Sequence, residues 1–130
     1  MRLALAGKGG SGKTTLAALA INRLVGKGYR PLLAVDADPN ANLAEALGLD
    51  VELTVADVLG EVTRGGLPVG LAKDDYISLR IHRALAEGED VDLLVMGGPE
   101  GPGCYCYANN ILRRLIDQLS GAYRAVVLDN

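Results

Sequence analysis

Gly7-Lys8-Gly9-Gly10-Ser11-Gly12-Lys13-Thr14 is the stretch that decides the fold. It matches G-x-x-x-x-G-K-[ST] in full, and its setting gives the match its weight. A short apolar run at residues 2–6 precedes it. An alanine- and leucine-rich segment at 13–25 follows, with Leu16, Leu19, Ala20 and Leu24 at helical spacing. Between a strand and a helix, such a loop lets the backbone N–H groups of Gly9, Gly10, Ser11 and Gly12 curl around phosphate oxygens, and the helix adds its positive dipole end. Lys13 is then placed to bridge the β- and γ-phosphates of a nucleotide, Thr14 to ligate Mg²⁺ through its hydroxyl, and Thr15 to touch the α-phosphate. An ordinary glycine turn before a helix is the plainer reading, and the complete match in this setting argues against it.

Lys8 is not demanded by the generic motif. A lysine at that position either reaches the phosphates of a facing subunit, acting in trans as an arginine finger does, or lies solvated on the surface. Spacing alone leaves both open.

Outward from the loop, aliphatic runs alternate with helical patterns. Residues 31–35, 91–96 and 125–128 read as further strands; 42–47, 54–59, 74–87 and 109–119 read as helices, with Thr54 as the cap of the second of these. Ile111, Leu112, Leu115, Ile116 and Leu119 share one face of the last helix, while Arg113, Arg114, Asp117 and Gln118 take the other. Two glycine-rich stretches, 65–71 and 97–103, read as loops. The chain has 130 residues, no Phe or Trp, and a hydrophobic fraction of 49%, so an aliphatic core is expected. This pattern predicts an α/β fold with a mostly parallel sheet flanked by helices. Residues 1–130 suit one domain, or the N-terminal part of one. The chain stops on a strand at Asn130, where a functional loop is expected to begin, so a domain cut after that strand is the expectation.

Two acidic features stand at strand ends. Val35-Asp36-Ala37-Asp38-Pro39-Asn40 places Asp36 and Asp38 at one tip, where one carboxylate can serve a Mg²⁺-bound water and the other can orient an attacking water. Capping of the turn and of the helix after it is the alternative role. Asp129 closes Ala125-Val126-Val127-Leu128, the form of the second nucleotide motif, whose aspartate supports Mg²⁺. The net charge of −3 and the scattered basic residues exclude a nucleic-acid footprint and an anionic membrane partner. No apolar stretch approaches the roughly 18 residues of a membrane span, and the N-terminus is not a signal peptide. A cytoplasmic location is expected. His82, the only histidine, reads as a solvated helix residue near Arg80 and Arg83.

The motifs together carry a resemblance. Lys-Gly-Gly-Ser-Gly-Lys-Thr-Thr, with its early lysine, resembles the deviant Walker A motif of the ParA/MinD/nitrogenase iron protein class of dimeric P-loop ATPases (SIMIBI class). Val35–Asn42 resembles that class's switch I, and Val126–Asn130 its Walker B strand. Members of the class are longer, so the likeness covers their N-terminal half. It implies ATP-driven face-to-face dimerisation, with Lys8 contacting the partner's nucleotide, Asp38 positioning the hydrolytic water, and Asp36 supporting Mg²⁺ beside Thr14 and Asp129.

Within the class, residues 95–113 are similar to the CooC-type accessory ATPases that mature the nickel site of anaerobic carbon monoxide dehydrogenase. The related acetyl-CoA synthase maturation ATPases share much of this pattern. The resemblance implies that Cys104 and Cys106, the chain's only cysteines, bind Ni²⁺ or Zn²⁺ with the same pair from a second subunit. Four thiolates around a two-fold axis would complete a site for which one chain offers half. It also implies the carbon monoxide dehydrogenase catalytic subunit as client. The nitrogenase iron protein pattern, which puts one cysteine at the position of Cys104 to hold a [4Fe–4S] cluster between subunits, is the rival resemblance; an inactive fragment is a third reading. Two small buried residues would be the plain role of the cysteines, and the glycine- and proline-rich surroundings favour a loop instead.

Overall fold

A computed structural model of the chain describes residues 1–7, 12–38, 40, 42–98 and 105–130, the side chains of 105–108 excepted. In chain order the elements are β1 (Arg2–Leu5), α1 (Lys13–Gly26), β2 (Leu32–Asp36), α2 (Leu43–Leu47), α3 (Val55–Thr63), α4 (Lys73–Ala84), β3 (Ala86–Glu87), β4 (Val91–Val95), α5 (Tyr105–Leu119) and β5 (Ala125–Asp129). The strands lie in the order β1-β5-β2-β4-β3. All pairings are parallel except β3 with β4. The expected mostly parallel sheet flanked by helices is therefore what forms.

Period-two alternation sends neighbouring strand residues to opposite faces. Leu33, Val35, Leu94, Met96 and Val126 pack with Val55, Val58, Ile77, Ile81, Ile111, Leu112 and Leu115, which are contributed by α3, α4 and α5. Leu32, Ala34, Leu93, Val95, Ala125 and Val127 pack with Ala17, Ala18, Ile21 and Leu43 from α1 and α2. The result is three layers with β2 buried along its whole length. Burying one such leucine or valine side chain stabilises the fold by about 1.5–3 kcal/mol, which explains how an aliphatic set without Phe or Trp suffices.

Local chemistry fixes the ends of the elements. Thr54 Oγ1 accepts from the Asp57 backbone N–H at 3.1 Å, and an Asp57 carboxylate oxygen accepts from the Thr54 N–H at 3.0 Å. This reciprocal capping box starts α3 where the sequence places it. Gly48 ends α2 at φ 68°, a left-handed conformation that suits glycine.

Two expectations need correction. The helix expected over 74–87 stops at Ala84. Leu85 is extended, and Ala86–Glu87 pairs antiparallel with Asp92 and Leu93. The cause is a tight turn in which the Gly88 N–H bonds the Val91 carbonyl at 3.0 Å; a side chain at Gly88 would meet that same oxygen. The last helix begins at Tyr105 rather than 109. Glycine and proline stop at Gly103, and nothing in 105–109 breaks a helix. Cys106 is thus the second residue of α5, not part of a loop.

Candidate nucleotide site

The parallel register brings the sequence-predicted acidic residues together. Asp36 and Asp129 are paired across β2 and β5, and Leu5 pairs with Asp129 from the other side. All three stand at the C-terminal ends of their strands, where open α/β sheets place their functional groups. Ala34 and Val127, two residues earlier, belong to the core under α1 and α2. By alternation Asp36 and Asp129 face that same side, towards the helix that the phosphate motif opens.

Gly12 precedes α1 at φ 78° and ψ 11°, so the turn into the helix requires the left-handed region. The first turn of α1 carries no acidic residue, which leaves its positive end free of competing carboxylates on its own helix. Lys13 is nonetheless buried, with 8% of its surface exposed. Its Nζ donates to Asp129 Oδ1 at 2.5 Å and reaches Asp38 Oδ2 at 3.5 Å. Thr14 Oγ1 donates to Asp129 Oδ2 at 3.1 Å. Asp129, 0% exposed, therefore binds the motif lysine with one oxygen and the motif hydroxyl with the other. Burial disfavours the charge of Lys13, but the carboxylates of Asp129 and Asp38 outweigh it and raise its pKa above the ordinary lysine value.

Asp36 is held differently. Its Oδ1 accepts from the Asp38 N–H at 3.1 Å and its Oδ2 from the Leu43 N–H at 3.0 Å. It caps the turn and the start of α2, so the capping role weighed from sequence is present. Each oxygen keeps a further lone pair. Burial is the main reason its carboxyl pKa is raised; the two backbone donors oppose the shift, and the neighbouring Asp129 and Asp38 charges add to it. Asp38, half-buried, accepts from the Asn40 N–H at 2.9 Å with the oxygen that does not face Lys13.

These groups suit Mg²⁺. Magnesium keeps several waters and takes one or two carboxylates rather than an all-protein cage. The Asp129 carboxylate with the Thr14 hydroxyl beside it, and Asp36 next in register, provide hard oxygen donors of that kind. Among the described residues no three His, Cys, Asp or Glu side chains cluster as a cage.

Lys8, Gly9, Gly10, Ser11, Pro39 and Cys104 lie outside the described residues, as do the side chains of Tyr105, Cys106 and Tyr107. Thr15 is exposed on the first turn of α1. His82 is exposed, with Nδ1 2.8 Å from the Ser78 carbonyl oxygen, as a solvated helix residue should be. The direct Lys13–Asp129 contact and the Leu43 backbone donor to Asp36 were not expected from sequence; only the folded register shows them. Among the described residues no helix is long and apolar enough to cross a membrane.

Comparison with known proteins supports the fold. The ATP-binding protein MJ0685 of Methanocaldococcus jannaschii is 48% identical over 99% of this chain and 52% of its own length. The carbon monoxide dehydrogenase accessory protein CooC of Rhodospirillum rubrum is 29% identical over 98% of this chain and 53% of its own. The chain spans about half the length of these relatives. Among solved structures, the septum site-determining protein MinD of Pyrococcus horikoshii, complexed with Mg-ADP, superposes with a TM-score of 0.58 at 27% identity, covering 99% of this chain and 49% of that one. Cobyrinic acid a,c-diamide synthase of Mycobacterium smegmatis, bound to an ATP analogue and magnesium, gives 0.63 at 25% identity, with 98% and 50% covered. Residues 3–128 match the CobQ/CobB/MinD/ParA nucleotide binding domain, and the chain belongs to that family.

Proposed function

We propose that this chain carries the nucleotide site of an ATP-hydrolysing metallochaperone that delivers nickel during maturation of carbon monoxide dehydrogenase. The observation that carries the hydrolytic part is the convergence of Lys13, Thr14, Asp38 and Asp129 at one sheet end. Lys13 neutralises charge on the β- and γ-phosphates, together with the backbone N–H groups of Gly9, Gly10, Ser11 and Gly12, and Thr15 meets the α-phosphate. Thr14 and Asp129 would hold Mg²⁺, with Asp36 supporting them. The ion supplies charge neutralisation at the phosphates. Asp38, at the outer side of the cluster, orients a water for in-line attack on the γ-phosphorus. The bond to the β,γ-bridging oxygen breaks, and ADP and inorganic phosphate leave.

The metal-delivery part is supported by the sequence Cys104-Tyr105-Cys106, whose Cys106 is the second residue of α5, and by the likeness to CooC. Two chains meet face to face on ATP, with Lys8 of each reaching the other's nucleotide. Their four thiolates then hold one Ni²⁺ or Zn²⁺ as cargo, and hydrolysis opens the pair and releases the ion to the client enzyme. The test is metal analysis with sizing, with and without ATP, on the chain and on a Cys104→Ala, Cys106→Ala variant. One Ni²⁺ or Zn²⁺ per two chains is expected, and loss of both metal and metal-dependent dimer in the variant. Unchanged metal content in the variant overturns the reading. So does a brown protein with the visible absorption of an iron–sulfur cluster, which would assign the site to electron transfer.

A further inference from the structure

We infer that Asp129 and Lys13 form a latch that makes nucleotide binding depend on Mg²⁺: the carboxylate occupies the lysine until the metal ion draws it away. The inference rests on the nucleotide site proposed above. Three contacts carry it. Lys13 Nζ is 2.5 Å from Asp129 Oδ1 and 3.5 Å from Asp38 Oδ2, and Thr14 Oγ1 holds the other Asp129 oxygen at 3.1 Å. The side chains of Lys13 and Asp129 are 7% and 0% exposed, so the pair is removed from water.

A buried cation needs a partner, and a buried carboxylate needs one equally. Lys13 and Asp129 each serve the other. Lys13 is therefore not a free cation awaiting phosphate. A nucleotide arriving without metal could take Lys13 only by leaving Asp129 unpaired and buried next to a polyanion. Lys13 already faces two carboxylates, Asp129 and Asp38, and the buried carboxylate of Asp36 stands beside Asp129 in register. A Mg²⁺-nucleotide instead allows an exchange in which no charge is left bare: phosphate oxygens take Lys13, and the ion takes Asp129 and Thr14. The same aspartate thus serves Lys13 first and the metal ion once Mg²⁺-nucleotide binds.

This differs from a simple ligand role for Asp129. A residue that acted only on Mg²⁺ would leave metal-free binding untouched when neutralised. The test compares the chain with its Asp129→Asn variant, using ADP in excess EDTA and ADP with Mg²⁺. Asp129→Asn is expected to bind metal-free ADP at least about tenfold more tightly than the parent chain. The gain should persist at about 0.5 M KCl, where exposed charges are screened but a buried contact is not. A second readout needs no nucleotide. Acetylation of Lys13, followed by peptide mass spectrometry, should be slow in the parent chain, at least about tenfold faster in Asp129→Asn, and faster in the parent chain when Mg²⁺ alone is added.

Equal metal-free affinity in the two proteins, or a Lys13 acetylation rate unmoved by Asp129→Asn, overturns the latch. Should Asp129→Asn prove unstable, Asp38→Asn decides. It removes the outer and more exposed partner of Lys13, and must move both readouts in the same direction by a smaller factor; no movement in either overturns the latch. Absence of ADP binding by both proteins with Mg²⁺ present overturns the nucleotide-site reading, and the acetylation rates then still decide the latch.

Discussion

At Lys13 the competing effects can be ranked. Burial alone would push the amine towards its neutral form, and the adjacent carboxylates of Asp129 and Asp38 reverse that push. The folded-state pKa lies above the ordinary lysine value of 10.5, so the pair's stabilisation is complete below that value and is lost as pH rises through the raised one. Replacing Lys13 by Met keeps the bulk of the stem and deletes the charge, leaving Asp129 buried without its partner. The expected cost is about 3 kcal/mol, the lower range for breaking one half of a buried pair, read as a shift in the urea midpoint near neutral pH. In an Asp129→Asn background the same change should cost much less, because the orphaned charge is gone. A Lys13→Met variant as stable as the parent would show that the pair contributes nothing to the fold. The identities of Lys13, Thr14, Asp36, Asp38 and Asp129 were legible because a motif and two strand ends flag them. Their partners were not. Whether Asp36 faces metal or backbone depends on where the Leu43 N–H arrives, and that is set by the packing of α2, not by any local pattern.

Elements were legible where a hydrophobic period runs long enough to be counted. α1 and α5 show three or more turns of apolar spacing, β2 and β5 are aliphatic up to a closing aspartate, and β4 is aliphatic apart from Asp92. β3 was missed because two residues carry no period, and its pairing is created by the turn at Gly88. The start of α5 was missed because Tyr105, Cys106 and Tyr107 have modest helix propensity and follow a glycine- and proline-rich run. Where β4 gives way to that run, Gly97 has φ 75°, and a Cβ built on it would lie 2.7 Å from Thr54 Oγ1 and 2.9 Å from Thr54 Cβ. Thr54 is the cap of α3, and the Ala56 N–H bonds the Met96 carbonyl at 2.8 Å. The end of β4 and the start of α3 are therefore seated on each other. Gly97→Ala should cost roughly 3 kcal/mol, combining about 1–2 for the left-handed backbone with 1–3 for overpacking against Thr54. Gly70→Ala separates the two contributions, since Gly70 has φ 89° but nothing within 4 Å of the added methyl. It should cost only the backbone part in the same urea titration. Equal losses at the two positions would mean that Thr54 moves aside without penalty and that the seat is soft.

For the whole molecule, the sheet divides into a covered side and an open one. β2 is buried end to end, whereas β1 is largely exposed and, among the described residues, pairs with β5 alone. Leu3 pairs with Val127, whose side chain lies under α1, so Leu3 points to the α1 face; it is 38% exposed. On α1 itself, Leu16 and Leu19 are 54% and 60% exposed at a spacing of three residues, which puts them on one flank of the helix. The sequence reading set these leucines among the helix's apolar positions without separating the buried flank, Ala17, Ala18 and Ile21, from the exposed one. Periodicity gives the stripe and not its partner. Apolar side chains beside an unpaired strand edge favour association between chains. The double change Leu16→Gln, Leu19→Gln should therefore reduce concentration-dependent association several-fold in sedimentation velocity. It should leave stability within about 0.5 kcal/mol of the parent, as a surface substitution does. A loss well beyond that would place the two leucines in the core of the chain. Unchanged association with unchanged stability would show that the Leu16–Leu19 flank takes no part in self-association.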